Sequence, residues 1–141
     1  MKADNLFKKL LLMTLVFTAL ALSTSCNKDL GDDGVKNTGT YQQITQAEAK
    51  RLMDTESDFI IIDARTQEEY DEGHIEGAIL IPEYEISYRA EELLKNKDQL
   101  ILVYCRSGRR SKIAAQALAD LGYTNVKEFG GIITWIYGTV K

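Results

Sequence analysis

The stretch Leu100-Ile101-Leu102-Val103-Tyr104-Cys105-Arg106-Ser107-Gly108-Arg109-Arg110-Ser111 decides how this chain is read. Gln99 to Tyr104 is a short continuous apolar run, the pattern of a strand buried on both faces. Ser111 to Leu121 carries Ile113, Ala114, Ala117, Leu118 and Leu121 on one helical stripe, and Gly122 ends it. The residues from Cys105 to Arg110 are therefore expected to link a strand to a helix, with the cysteine at the strand's carboxyl end.

The same alternation extends upstream. Phe59-Ile60-Ile61-Ile62 ends at Asp63, and Ala78-Ile79-Leu80-Ile81 is stopped by Pro82; both read as short buried strands. Between them, Thr66 and Glu69 form a capping-box pattern for a helix to Glu72. Thr45 and Glu48 do the same for a helix to about Met53. Glu83 to Leu94 mixes Tyr84, Ile86, Tyr88, Leu93 and Leu94 with charges, as a surface helix does. Val126 to Phe129 reads as a last strand, broken by Gly130-Gly131 before a helical segment around Trp135. Strands alternating with helices predict an α/β fold, a small mostly parallel β-sheet flanked by helices on both faces. In such sheets ligands bind beyond the carboxyl ends of the strands, where Cys105 and Asp63 both fall.

Residues 1–26 read as a targeting segment rather than as part of this fold. Lys2, Lys8 and Lys9 precede an apolar run from Leu10 to Leu22, and Ser23-Thr24-Ser25-Cys26 follows. The run is short of the roughly 20 residues of a membrane span but suits a signal-peptide core. Small residues leading into Cys26 resemble a bacterial lipoprotein cleavage site. Lipidation at Cys26, membrane anchoring and a place in the bacterial cell envelope, facing the periplasm or the cell surface, are the expectations. Residues 27–43 are expected to form a polar flexible linker, with Gly31, Gly34 and Gly39 and acids at Asp29, Asp32 and Asp33, leaving 44–141 as the domain.

Composition narrows the function classes. The chain carries a net charge of −4, and without the three lysines and one aspartate of the first 26 residues it is −6, a balance that argues against nucleic acid. Cys26 and Cys105 are the only cysteines and His74 the only histidine. With Cys26 lipidated, the remaining Cys and His do not make a zinc site, and Cys105 has no partner for an intramolecular disulfide. No metal or organic cofactor is expected, and a monomer is.

The loop itself suggests chemistry. If Cys105 to Arg110 curl into an arc, their N–H groups converge on the sulfur, with Gly108 supplying a positive φ. The helix N-terminus adds about half a positive charge, and Arg106, Arg109 and Arg110 add whole ones. A free thiol with a pKa of ~8.5 is only about 3% ionised at pH 7, and a downward shift of about two units, ~2.7 kcal/mol, makes it mostly thiolate. Such a nucleophile suits an anionic substrate.

Several segments, in order, resemble the rhodanese-homology domain in its single-domain form. They are Asp63-Ala64-Arg65 with Glu68-Glu69-Tyr70; Gly73-His74-Ile75-Glu76-Gly77-Ala78 with Ile81-Pro82; the loop Cys105 to Ser111; and Gly130-Gly131 with Trp135 and Gly138. The resemblance covers about Ile44 to Lys141. It implies a rhodanese-like fold and a sulfurtransferase in which Cys105 takes sulfane sulfur from an anionic donor such as thiosulfate, holds it as a persulfide, and passes it to a thiol or cyanide. Arg106, Ser107, Gly108, Arg109, Arg110, Ser111 and Arg65 are the candidate substrate-binding residues. Arg110 is preferred among the arginines because it closes the arc, and Ser111 is expected to cap the helix and donate to the sulfur. Asp63 is expected to bridge Arg65 at the site wall, and His74 to belong to a structural turn rather than to a Cys–His pair. Ser107 stands where many two-domain thiosulfate enzymes carry Lys or Arg. A Cdc25-type phosphatase, which this fold also resembles, needs Arg six positions after the cysteine; here that position is Ser111. A persulfide carrier or redox partner with little catalysis of its own is the other alternative.

Overall fold

The computed structural model describes residues 39–141. The expected signal peptide, Cys26 and the greater part of the expected linker lie outside them. Five parallel strands form one sheet in the order β1-β5-β4-β2-β3. The strands are β1 (Gln42–Gln43), β2 (Phe59–Asp63), β3 (Ala78–Leu80), β4 (Leu100–Cys105) and β5 (Val126–Gly131). The helices are α1 (Gln46–Thr55), α2 (Gln67–Glu72), α3 (Ile86–Leu93) and α4 (Arg109–Asp120). β4 lies at the centre with all of its residues buried, as its unbroken apolar run requires.

The side chains of β4 alternate between two cores. Ile101, Val103 and Cys105 pack with Ile86 and Ala90 of α3 and with Ala114, Ala115 and Leu118 of α4. Leu100, Leu102 and Tyr104 face Ala49 and Leu52 of α1, together with Ile75 and Phe129. Helices thus cover both faces, and the period of two places Cys105 on the α3/α4 side.

Both expected capping boxes hold a side-chain bond. The Thr66 hydroxyl accepts from Glu69 N–H, and the Glu69 carboxylate returns the bond to Thr66 N–H. Thr45 accepts from Glu48 N–H at 3.1 Å.

Four expectations need correction. Order begins upstream of Ile44: Gln42 and Gln43 pair with Lys127 and Glu128, Tyr41 packs on the core, and the Gly39 carbonyl accepts from Gln116. The polar composition of this stretch hid a strand that covers one sheet edge and needs little apolar surface. Second, Glu83–Glu85 is a separate 3-10 turn behind Pro82, and the helix starts only at Ile86. Third, α4 starts at Arg109, two residues before Ser111, because Gly108 at φ 102° occupies the N-cap position and turns the chain directly into the helix. Fourth, the C-terminal helical segment is only the 3-10 turn Ile132–Thr134. Trp135 is extended, its indole N–H donates to the Gly138 carbonyl, and its ring packs against Phe129.

β5 carries the irregularity that matters most for the loop. Val103 pairs with Glu128 but Cys105 with Gly131, so β5 gains a residue, a bulge at Phe129-Gly130. Gly130 at φ 93° permits it. The bulge brings Gly131 against the backbone of Arg106 and Ser107, so close that a Cβ on Gly131 would lie 2.3 Å from the Arg106 carbonyl oxygen.

Candidate active site

Cys105 ends β4 and is a free thiol, 1% exposed. Gly108 N–H donates to its sulfur at 3.1 Å. Burial pushes the thiol up, but the Ser111 hydroxyl and the N–H groups of Ser111, Gly108 and Ser107 outweigh it, leaving Cys105 below its ordinary value. The Gly108 amide is thus in contact with the sulfur, and those of Ser107 and Ser111 act on it, placed by the strand end, the positive φ of Gly108 and the first turn of α4.

The arginines divide. Arg106 and Arg109 are exposed, and neither forms an ion pair among the described residues. Arg110 is occupied instead: its two terminal nitrogens reach the Glu69 carboxylate at 2.6 and 2.7 Å, tying α4 to α2. Arg110 holds Glu69 down at about 2, and Glu69 in turn raises Arg110. The arginine preferred for substrate is thus already engaged by a carboxylate. Its charge still acts on Cys105 from a distance, but its donors are fastened to a carboxylate that the capping pattern had explained locally.

Arg65 is engaged in a similar way. It is 5% exposed and pairs with Asp63 through Nε at 2.9 Å and a terminal nitrogen at 2.6 Å, while also donating to the Gly73 carbonyl at 2.7 Å. The Tyr104 hydroxyl donates to Asp63 at 2.6 Å and accepts from Ile75 N–H at 3.1 Å. Burial and the Asp63 charge raise the Tyr104 phenol well above its ordinary value, so it stays a donor. Asp63, Arg65 and Tyr104 form a buried wall, the role expected of the Asp63–Arg65 pair.

His74 stacks on Tyr70 with ring centroids 3.7 Å apart, and its Nδ1 lies 3.1 Å from the Tyr70 carbonyl oxygen. Its backbone pairs with Val140. No hydrogen bond joins it to Cys105, and it holds a turn. Ser111 does not cap α4: no side chain caps that helix. Its hydroxyl lies 2.6 Å from Glu128 Oε1 and 3.1 Å from the Gly108 carbonyl oxygen, and it helps to hold the Cys105 thiol down.

Sequence reasoning passed over Glu128, which is 3% exposed directly behind the loop. The signal was available: Glu128 lies two residues after Val126 in a strand, which puts it on the cysteine's face of the sheet. A groove of about 440 Å³ between α1 and the C-terminal residues Trp135 to Val140 contains no residue of the cysteine loop.

Residues 45–136 match the family model described as Rhodanese-like domain. The chain is 39% identical over 71 residues to the thiosulfate sulfurtransferase PspE of Escherichia coli, covering 50% of this chain and 68% of that protein. It is 41% identical over 88 residues to a sulfurtransferase of Allochromatium vinosum, covering 62% of this chain and 79% of the relative. A solved rhodanese structure with anions, from E. coli, superposes with a TM-score of 0.56 at 36% identity, covering 59% of this chain and 98% of that one.

Proposed function

Since this chain belongs to the rhodanese-like domain family, we propose that Cys105 carries sulfane sulfur as a persulfide between an anionic donor, thiosulfate, and a thiophilic acceptor. The observation that carries this reading is the amide-lined sulfur, whose thiol is lowered despite its burial. The Cys105 thiolate attacks the outer sulfur of thiosulfate. The donor's S–S bond breaks, its electron pair leaves with sulfite, and a bond forms between Sγ and the transferred sulfur. An acceptor such as cyanide or a thiolate then attacks that outer sulfur, and Cys105 leaves as a thiolate. No net oxidation occurs and no further reactant is needed.

The same N–H groups stabilise the anion at each stage, whether it lies on the thiolate or on the persulfide. Arg106 and Arg109 supply free positive charge at the mouth for the donor, while Ser107, Gly108 and Ser111 supply the amides. Arg110 contributes field rather than contact.

Purified protein mixed with thiosulfate and cyanide should release thiocyanate, and thiosulfate alone should add the mass of one sulfur atom at Cys105. Cys105→Ser should lose both. Neither thiocyanate nor the added mass, with any sulfane donor, would refute the proposal. Hydrolysis of an aryl phosphate that depends on Cys105 would favour the phosphatase alternative, which the short arc and the engaged Arg110 oppose.

The wider setting belongs to the same proposal: a monomeric domain anchored through a lipid on Cys26 in the bacterial cell envelope. Its support is the basic start, the apolar run Leu10 to Leu22 and the small residues before Cys26. A Cys26→Ala variant should leave the membrane fraction; retention there would refute the anchor.

A further inference from the structure

Behind the cysteine loop lies a buried carboxylate that the sulfur-transfer reading does not use. Glu128 Oε1 accepts from the Ser111 hydroxyl at 2.6 Å and from Gly130 N–H at 2.8 Å, and Oε2 accepts from Gln43 at 3.2 Å. The residue is 3% exposed, and Ser111 is fully buried between it and Cys105. Ser111 has one hydroxyl proton and several acceptors around it: the carboxylate at 2.6 Å, the Gly108 carbonyl at 3.1 Å, the Gly130 carbonyl at 3.4 Å and the sulfur whose thiol it helps to lower. It serves only one at a time.

We propose that Glu128 is a positioning residue for Cys105, holding the Ser111 hydroxyl turned away from the sulfur while the cysteine is a thiol and yielding it when the sulfur becomes an anion. In the thiol state the Cys105 S–H bond points at a lone pair of Ser111, whose own proton goes to Glu128. When the S–H bond breaks, its proton leaves to water, the Ser111 hydroxyl turns to the thiolate, and Glu128 keeps Gly130 N–H and Gln43. Two remaining donors make the carboxylate able to release the third.

Other charges facing the pair do not duplicate this role. From α4, Arg110 is bound to Glu69 of α2, and Lys112 is exposed on the wall of a cleft of about 420 Å³ that Glu128 also lines. From β2, Asp63 is bound to Arg65 and Tyr104. From β1 the contact is the neutral Gln43. Arg106 and Arg109, on the loop's outer side, are exposed.

The consequence is a restraint on thiolate formation. The loop amides favour the anion, and Glu128 opposes it by competing for the Ser111 proton. The restraint serves catalysis, since a thiolate of very low basicity is a weak nucleophile and the best attacking thiol ionises near ambient pH.

The inference rests on Cys105 being the reacting sulfur, but its test needs no sulfane chemistry. The readout is the rate of carbamidomethylation by iodoacetamide at the Cys105 peptide, followed by mass in the full chain between about pH 5 and 9. Glu128→Gln should move the midpoint down by about one unit, which is about tenfold more reactive cysteine on the acid limb. Ser111→Ala should move it up. In the Ser111→Ala background, Glu128→Gln should have less than about a third of its effect. A midpoint that Glu128→Gln leaves in place or raises would overturn the inference. So would an equal shift in both backgrounds, which would mean charge acting without Ser111. Should Glu128→Gln lose the wild-type circular dichroism, Glu128→Asp keeps the charge but draws the carboxylate back from Ser111. It should also lower the midpoint, and no shift there is equally fatal. These outcomes stand whether or not thiocyanate forms, so failure here and failure of sulfur transfer are separate results.

Discussion

Replacing Gly131 by Ala should disable the site more than it unfolds the protein. Gly131 has φ −125°, which any residue adopts, so the substitution carries no backbone penalty of its own. The obstacle is space. An added Cβ would meet Arg106 O at 2.3 Å, Ser107 Cα at 2.6 Å and Arg106 C at 2.7 Å, all backbone atoms that cannot swing aside. Restoring ordinary contact at 3.4 Å requires a separation larger by about 1 Å between β5 and the cysteine loop. Overpacking of this kind costs about 1–3 kcal/mol. Displacing a reacting group by about 1 Å costs on the order of 100-fold in rate. The assay pairs thermal unfolding with thiocyanate formation from thiosulfate and cyanide. Gly122→Ala is the complementary control: φ is 89° but nothing lies within 4 Å of its Cβ, so it pays about 1–2 kcal/mol in conformation and leaves the site alone. The expected pattern is similar destabilisation in both, with the rate lost only in Gly131→Ala. A Gly131→Ala protein that keeps more than about a third of the wild-type rate would refute the view that this close approach holds the loop in shape.

Three further outcomes are expected. The Glu69–Arg110 bridge should make stability acid-sensitive: Glu69 is lowered from 4.5 to about 2, so its contribution is complete above 4.5 and is lost as pH falls toward 2. Glu69 keeps 24% side-chain exposure, and screening reduces the effect to about 1–2 kcal/mol, which urea unfolding of Glu69→Gln and wild type at neutral and acid pH should reveal as a smaller acid loss in the variant. Arg106→Ala and Arg109→Ala should each raise the KM for thiosulfate several-fold, with a weaker dependence on salt than in wild type, and leave the melting temperature within a degree or two; an unchanged KM in the double variant would remove them from donor binding. Tyr104→Phe should cost about 1–3 kcal/mol in unfolding free energy, because Asp63 and Ile75 N–H each lose a buried partner; a neutral result would refute a stabilising role for the Tyr104 hydroxyl in the wall.

Much of this fold is legible because its strands are short, apolar and separated by good helix signals. Phe59–Asp63 and Leu100–Cys105 follow from hydrophobic runs alone, and the Thr66–Glu69 box fixes the start of a helix. The cysteine loop is legible because a thiol, a glycine and a helix lie adjacent in sequence, so local geometry brings them together. What escapes is whatever depends on long-range pairing. Arg110 and Glu69 are 41 positions apart, and nothing in either segment states that they meet. Ser111 and Glu128 are joined only once β5 lies beside β4. Gln42–Gln43 is polar because an edge strand of two residues needs backbone partners rather than an apolar face. The arginines illustrate the point most directly: equal in the sequence, they are sorted by the fold into two exposed ones without an ion pair among the described residues and one tied to Glu69.

The depth of the Cys105 sulfur has a consequence for what this protein can exchange with. At 1% exposure, the unloaded cysteine offers almost no atom to a bulky electrophile or to the cysteine of a folded protein. On the proposed mechanism a transferred sulfur adds one S–S bond, about 2 Å, to the reach of the side chain. Loading therefore changes the reach of the site as well as its chemistry. A small donor can enter to deliver sulfur, whereas a large acceptor need only touch the rim to collect it. On the proposed mechanism the site is thus a size sieve in the receiving direction and more open in the giving one, with the length of a single bond separating the two.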